Sequence, residues 1–266
     1  MRTPRSIVVA VLAAAVIAAP ATAVAKPTIT LSGSTSVAPL ASKLAKAYVK
    51  KHKVQFKVLQ GGSDIGVSDV SHGRVTLGMS SRDPLPSDPG GLVFNRIARD
   101  GICVATNPRN PISNLSQDQI QGIFSGRVRS WSQVPGAKVS GTIDLIVRNP
   151  ASGTQDAFQN IFMGQSLRVS PSASQKPSNG RVQQSISSDK NAIGYVDFNF
   201  TSGLHTVPYK GVACSLRNAK SGQYGGVRNF WLVSRGKATG AAKAWLKWIK
   251  GAQARRIIAR NWVPLK

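Results

Sequence analysis

The segment Arg148–Phe158, RNPASGTQDAF, places an arginine, two hydroxyl side chains and a glycine where an extended stretch gives way to a helical one. The N-terminus of a helix presents unpaired backbone N–H groups and the positive end of the helix dipole, and it therefore attracts anions. Ser152 and Thr154 add hydroxyl donors, and Gly153 lets the backbone approach a ligand closely. Arg148 supplies a planar guanidinium group that can donate hydrogen bonds to two oxygens of one anion. The segment predicts a site for a tetrahedral oxyanion, although an ordinary helix cap beside a surface arginine would give the same pattern.

Ser152 could instead be the nucleophile of a hydrolase. The strand–serine–helix elbow of such enzymes has the pattern G-x-S-x-G, which the sequence NPASGTQ does not match. None of the three histidines stands in a local context that marks it as the partner base. We therefore predict a protein that is not an enzyme, with hydrolysis of a phosphate ester as the less favoured alternative.

Three other turns have the same character as the turn after Arg148. The sequences SGSTS (residues 32–36), GGSDIG (61–66) and MSSRD (79–83) each place hydroxyl groups and backbone amides at the end of an extended stretch. In open parallel sheets, ligands bind at the carboxyl ends of the strands. We therefore expect all four turns to meet in one crevice, as a polar pocket for a small oxyanion.

The elements around these turns follow an α/β pattern. Apolar residues alternate with polar ones over residues 28–31, as in a short strand, and recur at helical spacing over residues 37–47. Residues 92–107 are typical of a long strand or crossover, and residues 226–260 of a late strand followed by an amphipathic segment. Strand, Gly/Ser turn and helix in repetition predict an α/β fold with a largely parallel sheet.

The charge of the chain is strongly unbalanced. It has 35 Lys and Arg against 10 acidic residues, all of them Asp, and removing Arg2 and Arg5 leaves 33 − 10 = +23. Such a field attracts anions and polyanions. The basic residues are spread along the chain without a dense arm interleaved with aromatic residues, so no specific nucleic-acid binding is predicted.

Residues 1–25 are predicted to be a secretory signal peptide. Basic residues precede the apolar run Ile7–Ala19, and small residues surround a cut after Ala25. The run is too short to span a bilayer, and no later stretch reaches 18 uncharged apolar residues. No cysteine marks a lipid anchor. We expect residues 26–266 to form a domain in the secreted, periplasmic or cell-surface space, without membrane insertion.

The sequence contains two cysteines, Cys103 and Cys214, and a disulfide between them is possible in an exported protein. Two buried free thiols are the alternative. His52, His72 and His205 share no ligand spacing with one another or with the cysteines. No metal site and no cofactor are predicted.

Taken in order, several motifs resemble the periplasmic phosphate-binding proteins of ABC transporters, the PstS-like group. The resemblance covers nearly all of the chain after the signal peptide. It is carried by LSGSTSVAPL, a Gly-Gly-Ser turn, LGMSSR, IARDGICVATNP, LSQDQIQGIFSG, RNPASGTQDAF, SNGRVQQSISSDKNAIGYV and NWVPL. Each motif alone is weak, but their order and spacing make the match specific.

The resemblance implies a type II periplasmic-binding-protein fold, in which two α/β lobes joined by crossover hinge strands enclose the ligand. By this analogy lobe 1 comprises about residues 27–103 and 222–266, and lobe 2 about residues 104–221. The implied function is capture of inorganic phosphate in the cleft and its delivery to the membrane permease subunits of an ABC importer, by a monomer. A secreted polyanion-binding protein that uses the basic surface is the alternative.

The resemblance also carries the family's oxyanion contacts onto the four turns. These residues are Thr35, Ser36, Ser63, Ser81, Arg82, Arg148, Ser152, Gly153 and Thr154. It adds the Ser-Asn-Gly sequence at residues 178–180 as a further stretch that lines the cleft.

One acidic residue is expected in the site. Members of the family have an Asp near the end of the third strand, where this chain has Ser81-Arg82 followed by Asp83. A carboxylate lets a site prefer protonated phosphate over sulfate, because it accepts the proton of the ligand. We expect Asp64, directly after Ser63, to play this role, with Asp83 as the alternative. A helix N-cap is the other interpretation of Asp64.

Overall fold

The computed structural model describes residues 25–265, and the predicted signal peptide lies outside the described residues apart from Ala25. The strands are β1 Thr28–Gly33, β2 Gln55–Val58, β3 Leu77–Ser80, β4 Leu92–Thr106, β5 Asp144–Arg148, β6 Ser174–Lys176, β7 Ala192–Asp197, β8 His205–Thr206 and β9 Val227–Arg235. The α-helices are α1 Val37–Tyr48, α2 Ser63–Ser71, α3 Gln117–Phe124, α4 Gly153–Phe158, α5 Asn179–Ser188, α6 Leu216–Ser221, α7 Gly240–Ile249 and α8 Ala252–Asn261. The predicted α/β fold is confirmed.

The strands form one continuous sheet, and its two central strands, β9 and β4, link two groups of parallel strands. The order is β2-β1-β3-β9-β4-β7-β5-β6, with β8 also paired to β4. Strands β1, β2 and β3 are parallel to one another, as are β5, β6 and β7, whereas β9 and β4 run antiparallel to their neighbours. Each parallel group therefore directs the carboxyl ends of its strands to one edge, as the strand–turn–helix pattern predicts.

The long strand β4 belongs to both halves of the sheet. Its residues Leu92–Gly101 pair with β9, and its residues Ile102–Thr106 pair with β7. The ring of Phe198 lies so close to Gly101 that a Cβ at this position would collide with it. We propose to divide the chain here, with lobe 1 comprising residues 25–101 and 227–265 and lobe 2 comprising residues 102–226.

In lobe 1, helices cover both faces of the sheet. Helices α1, α7 and α8 pack on one face, where Leu31, Trp245 and Trp262 lie in one apolar cluster. Helix α2 packs on the other face, where Val67, Val70 and Val233 form a smaller apolar cluster. Burial of each such side chain contributes roughly 1.5–3 kcal/mol. Lobe 2 has its own core, in which the rings of Phe158 and Tyr195 stack with their centroids 4.0 Å apart.

The amphipathic segment near the C-terminus forms two helices. Helix α7 ends at Ile249, and the amide of Gly251 donates to the carbonyl of Trp248 instead of continuing the helix. A Cβ at residue 251 would lie 3.1 Å from that carbonyl oxygen, so glycine suits the break. None of the helices in residues 25–265 is both long and apolar enough to cross a bilayer.

Cys103 on β4 and Cys214 before α6 are joined by a disulfide, with their Cα atoms 5.6 Å apart. The bond closes a loop of 111 residues. It ties the segment between β8 and β9 to the crossover strand.

We expect the double variant Cys103→Ser/Cys214→Ser to lose about 4 kcal/mol of unfolding free energy, because a crosslink over so long a loop restricts the unfolded chain. Urea unfolding of wild type and variant measures the difference, and wild type unfolded with a reductant is the control. Two reactive thiols in denatured, unreduced wild type would contradict the bond.

Candidate anion-binding site

The four polar turns meet at the junction of the two lobes. Eight of the ten predicted site residues come together there, each no more than 5% exposed where it has a side chain. They are Thr35, Ser36, Ser63, Ser81, Arg148, Ser152, Gly153 and Thr154. Ser36 Oγ of lobe 1 lies 3.1 Å from Thr154 Oγ1 of lobe 2, and Ser63 Oγ lies 3.4 Å from Ser81 Oγ. The hydroxyls of the four turns therefore form one buried polar cluster with members from both lobes.

Two glycines allow the lobes to touch backbone to backbone. A Cβ on Gly153 would collide with the hydroxyl of Ser63 and lie 2.8 Å from the amide nitrogen of Arg82. Gly62 has a φ of 121°, and a Cβ there would lie 2.7 Å from the carbonyl oxygen of Ala151. The cleft is closed, and side chains at either position would hold it open.

Ser152 caps helix α4, as its position in the turn predicts. Its hydroxyl oxygen accepts hydrogen bonds from the amides of Thr154 and Gln155, at 3.1 and 3.4 Å. Helix α4 continues directly into a π-helical turn at Gln159–Met163. The cap fixes the direction in which the amide of Gly153 and the hydroxyl of Thr154 face lobe 1.

The guanidinium of Arg148 lies at the end of β5 and is 2% exposed. Its Nη1 is 3.2 Å from Asn179 Oδ1 and 3.5 Å from Thr154 Oγ1, and its Nη2 and Nε donate to the backbone carbonyls of Pro177 and Lys176. Burial lowers the pKa of Arg148 to about 10, so the group stays charged at neutral pH. Four neutral oxygens contact it, and no carboxylate of the described chain forms a direct ion pair with it.

The predicted anion contacts of Arg82 and Asp64 need correction. Arg82 Nε donates to Asp64 Oδ1 at 2.7 Å, and its two terminal nitrogens donate to the carboxylate of Asp88 at 2.7 and 3.0 Å. The side chain of Asp64 is 48% exposed. The guanidinium therefore serves an ion-pair network outside the cluster. Asp88 belongs to the loop before β4, and the turn around Arg82 gives no sign in the sequence that Asp88 will contact it.

Asp83, the alternative acidic residue, also lies outside the cluster. Its Oδ1 accepts hydrogen bonds from Asn229 Nδ2 at 2.9 Å and Trp231 Nε1 at 3.0 Å, and the residue is exposed. Neither predicted carboxylate faces the hydroxyls of the four turns.

A second buried guanidinium, that of Arg228 on β9, lies among the hydroxyls of the four turns. The sequence patterns did not predict Arg228 as a site residue. Its Nη1 donates to Thr154 Oγ1 at 2.8 Å and to Ser81 Oγ at 3.3 Å. Its Nη2 donates to Ser36 Oγ at 2.8 Å. Arg228 is 5% exposed. It therefore contacts three of the residues predicted to hold the anion, on both sides of the cleft.

Two fully buried carboxylates balance this arginine. Asp100 Oδ2 and Asp197 Oδ2 lie 3.4 and 3.6 Å from Arg228 Nη2. Asn179 Nδ2 donates to Asp197 Oδ2 at 3.0 Å and to Ser36 Oγ at 2.7 Å. Within residues 25–265, Asp100 Oδ1 and Arg228 Nε have no hydrogen-bond partner. Two arginines and two aspartates thus share one buried site.

Part of this set could have been found in the sequence. Asp100 directly precedes the apolar half of β4 and Asp197 ends the apolar strand β7, and a charged residue in such a position needs a partner when it is buried. The stretch 178–180, expected to line the cleft, contributes Asn179. Arg228 gives no such signal, because it is one of 35 basic residues in the chain.

The buried aspartates make the unfolding free energy depend on pH. Desolvation raises the pKa of Asp197, and desolvation together with the nearby charge of Asp197 raises that of Asp100 well above 3.8. Above about pH 4, the folded protein therefore binds more protons than the unfolded chain, and we expect stability to fall as pH rises towards neutrality.

Urea unfolding between pH 4 and 7 measures this slope. Asp100→Asn should flatten it, because the variant removes a fully buried group whose pKa is raised well above its ordinary value, while exposed Asp118→Asn should leave it unchanged. An equal slope in Asp100→Asn and wild type would show that Asp100 is ionised throughout this range.

The described residues contain no group of three or more His, Cys, Asp or Glu side chains arranged to hold a metal ion. The three histidines lie elsewhere in the fold. His205 Nε2 is 2.7 Å from the carbonyl oxygen of Ile112, His72 Nδ1 is 2.8 Å from that of Ser68, and His52 stacks on Tyr48. None of them is positioned as a base for Ser152.

Two α/β lobes, two crossover strands and a closed polar site between them define a two-lobed ligand-binding protein. Comparison with known families agrees. A family model described as a PBP superfamily domain matches residues 18–252, and the chain belongs to this superfamily.

Individual relatives extend the comparison. The chain is 26% identical over 249 residues to the phosphate-binding protein PstS of Bacillus subtilis, covering 91% of this chain and 82% of that protein. A Clostridium perfringens structure described as a phosphate ABC transporter substrate-binding protein with bound phosphate is 28% identical, with a TM-score of 0.84, covering 90% of this chain and all of that one. An ABC-type phosphate transport receptor from Vibrio cholerae is 25% identical, with a TM-score of 0.73, covering 89% and 100%.

Proposed function

We propose that the protein binds inorganic phosphate between its lobes, outside the cytoplasm, and delivers it to the membrane subunits of an ABC importer. The observation that carries this proposal is the convergence of two buried guanidinium groups and the hydroxyls of four turns at one point of the cleft. A tetrahedral anion can accept hydrogen bonds from many directions at once, and this donor set offers them. The names of the relatives point to the same ligand.

The donors divide between the lobes. Lobe 1 contributes the hydroxyls of Thr35, Ser36, Ser63 and Ser81 and the guanidinium of Arg228, and lobe 2 contributes Arg148, Ser152, Gly153 and Thr154. In the closed structure Arg228 donates to the hydroxyls themselves. We propose that these hydrogen bonds are exchanged for bonds to the anion when it enters, and that entry requires the lobes to separate at β4 and β9.

The charges fit an anionic ligand. With both aspartates ionised, Arg148, Arg228, Asp100 and Asp197 sum to zero, and a proton on Asp100 gives the site a positive charge. The raised pKa of Asp100 favours that proton, since desolvation and the charge of Asp197 both oppose ionisation. A bound anion would favour it further.

Hydrolysis remains the less favoured function. The hydroxyl oxygen of Ser152 is occupied by the cap of α4, and each histidine is engaged away from it. The relatives named above are binding or transport proteins by name. A turnover assay with a phosphate ester, in wild type and Ser152→Ala, would reveal activity that depends on this residue.

Isothermal titration calorimetry on phosphate-stripped protein tests the proposed function. We expect one phosphate per chain and much weaker heat with sulfate. The absence of saturable phosphate binding would refute the proposal.

Asp64→Asn should leave the ratio of phosphate to sulfate affinity unchanged within about twofold, because Asp64 pairs with Arg82 outside the cluster. Asp197→Asn should narrow the ratio, because a buried negative charge beside the donors favours an anion that carries a proton. Calorimetry with both anions on both variants measures the two ratios, and thermal unfolding checks that each is folded. If only Asp64→Asn lost the preference for phosphate over sulfate, Asp64 would be the selectivity residue that the sequence predicts.

A further inference from the structure

Lobe 1 carries a surface that is basic throughout. Residues 43–57 and 243–260 together contain twelve Lys and Arg and no acidic residue. All twelve are exposed: Lys43, Lys46, Lys50, Lys51, Lys53, Lys57, Lys243, Lys247, Lys250, Arg255, Arg256 and Arg260. By contrast, residues 63–234 combine 17 basic residues with all ten Asp. We call the twelve side chains the basic face.

The elements that carry the basic face pack side by side. Helices α1, α7 and α8 cover the same face of the lobe 1 sheet, and β2 is the strand at its edge. Tyr48 of α1 contacts Trp248 of α7 with ring centroids 5.3 Å apart, and Lys43 of α1 donates to Asn261 of α8 at 3.1 Å. The side chains of the basic face therefore lie on one continuous surface of lobe 1.

Spacing directs these charges towards solvent. On α1, Lys43 and Lys46 are three residues apart, and Lys50 follows four residues later, just after the helix ends. On α7, Lys243 and Lys247 are four residues apart, and Lys250 follows at the C-cap. Such intervals place side chains on one side of a helix. The opposite side of each helix packs into the core, with Leu44 and Trp245 buried.

The positive charges of the basic face repel one another, and no ion pair within the described part of the chain offsets this repulsion. The five ion pairs among residues 25–265 involve Arg74, Arg82 and Arg228, and none includes a residue of the face. Closely spaced like charges destabilise a folded chain and attract a surface of opposite charge. The face is also distinct from the cleft, whose donors lie in the turns at the strand ends.

We propose that the basic face binds a lipid bilayer that contains anionic phospholipids. Nine of its twelve cations are lysines, which act as point charges and impose no bidentate geometry on a partner. The large exposed apolar residues of the described chain are aliphatic, among them Val49 and Leu59 beside the lysines of α1 and β2. The rings beside these lysines are largely engaged within the fold: Tyr48 is buried, Trp248 is half-buried against it, and His52 stacks on Tyr48. The face therefore offers a poor platform for stacking nucleic-acid bases. The exposed lysines can contact the phosphate groups of many lipid headgroups at once, because the headgroups of a fluid bilayer can rearrange around them.

The expected strength follows from the charges. Each Lys or Arg near an anionic membrane contributes about fivefold to the partition coefficient, and salt screens the effect. Several of the twelve contacts together should give measurable binding at low ionic strength. The proposal does not depend on the anion cleft.

Co-sedimentation of the purified protein with vesicles tests this proposal. Vesicles of phosphatidylcholine with about one-third phosphatidylglycerol should bind the protein at low salt, and pure phosphatidylcholine should not. Neutralising six residues of the face, Lys46, Lys50, Lys51, Lys243, Lys247 and Lys250, to Gln should lower the partition coefficient at least tenfold. Phosphate calorimetry on the same variant should match wild type, which shows that the fold is kept.

A variant of equal net charge is the matched control. It replaces six exposed cations of lobe 2 with Gln: Arg127, Lys138, Arg168, Arg181, Lys190 and Lys210. We expect it to keep vesicle binding within about threefold of wild type. If both variants lost vesicle binding equally, net charge alone would explain the binding, and the assignment to the basic face would be overturned. Failure of wild type to bind anionic vesicles, or tighter binding to duplex DNA at the same salt, would overturn the choice of partner.

Discussion

Replacing Arg148 with methionine should weaken phosphate binding by a factor of a hundred or more while the protein remains folded. A hydrogen bond to a charged group contributes about 1.5–3 kcal/mol, and a guanidinium that offers two such bonds exceeds one of them. Among residues 25–265 Arg148 forms no direct ion pair, so its removal strands no carboxylate there. Calorimetry measures the affinity, and circular dichroism checks the fold.

Arg181→Met is the matched control for this variant. Arg181 lies on α5, two residues after Asn179, and is exposed. It removes the same charge from the same lobe without touching the cluster. If Arg148→Met bound phosphate as tightly as Arg181→Met, the assignment of the site to this cluster would be wrong.

Replacing Arg228 with methionine should destabilise the protein by about 3–5 kcal/mol, because it leaves Asp100 and Asp197 buried without their cation. The same change removes donors from the hydroxyls of Ser36, Ser81 and Thr154. Both the free energy of unfolding and phosphate affinity should therefore fall. Urea unfolding near neutral pH gives the first quantity and calorimetry the second.

A second variant separates charge from packing. Adding Asp100→Asn to Arg228→Met removes one of the two unpaired carboxylates, so part of the lost stability should return while phosphate affinity stays low. Equal stability of Arg228→Met and wild type would mean that the aspartates are protonated in the folded protein and need no partner.

The turns show how far local sequence determines a binding site. Hydroxyl groups and glycines at strand ends predicted that Ser36, Ser81 and Thr154 lie together, as they do, because parallel strands direct their carboxyl ends to one edge. Whether a side chain in such a turn faces the cleft depends on its other neighbours. Arg82 faces away because Asp64 and Asp88 both reach it, and Asp88 belongs to a loop with no local relation to the turn.

The residues missed in the sequence lie on the crossover strands and beside them. Arg228 and Asp100 are neighbours only because β9 pairs with β4, with Arg228 opposite Asp100 in the register. That contact joins residues 128 positions apart. A rule based on nearby residues cannot find it. Local periodicity did predict the α/β class and the strand–turn–helix units, but it did not predict the break between α7 and α8.

A crystal structure of the protein soaked with arsenate, recorded at the arsenic absorption edge, tests the central claim most directly. Arsenate has the shape and charge of phosphate, and its anomalous signal locates the anion without interpretation of the surrounding density. We predict one strong peak between the lobes, within hydrogen-bonding distance of the guanidinium groups of Arg148 and Arg228 and the amide of Gly153. A peak on the lysines of the basic face, with none between the lobes, would contradict it.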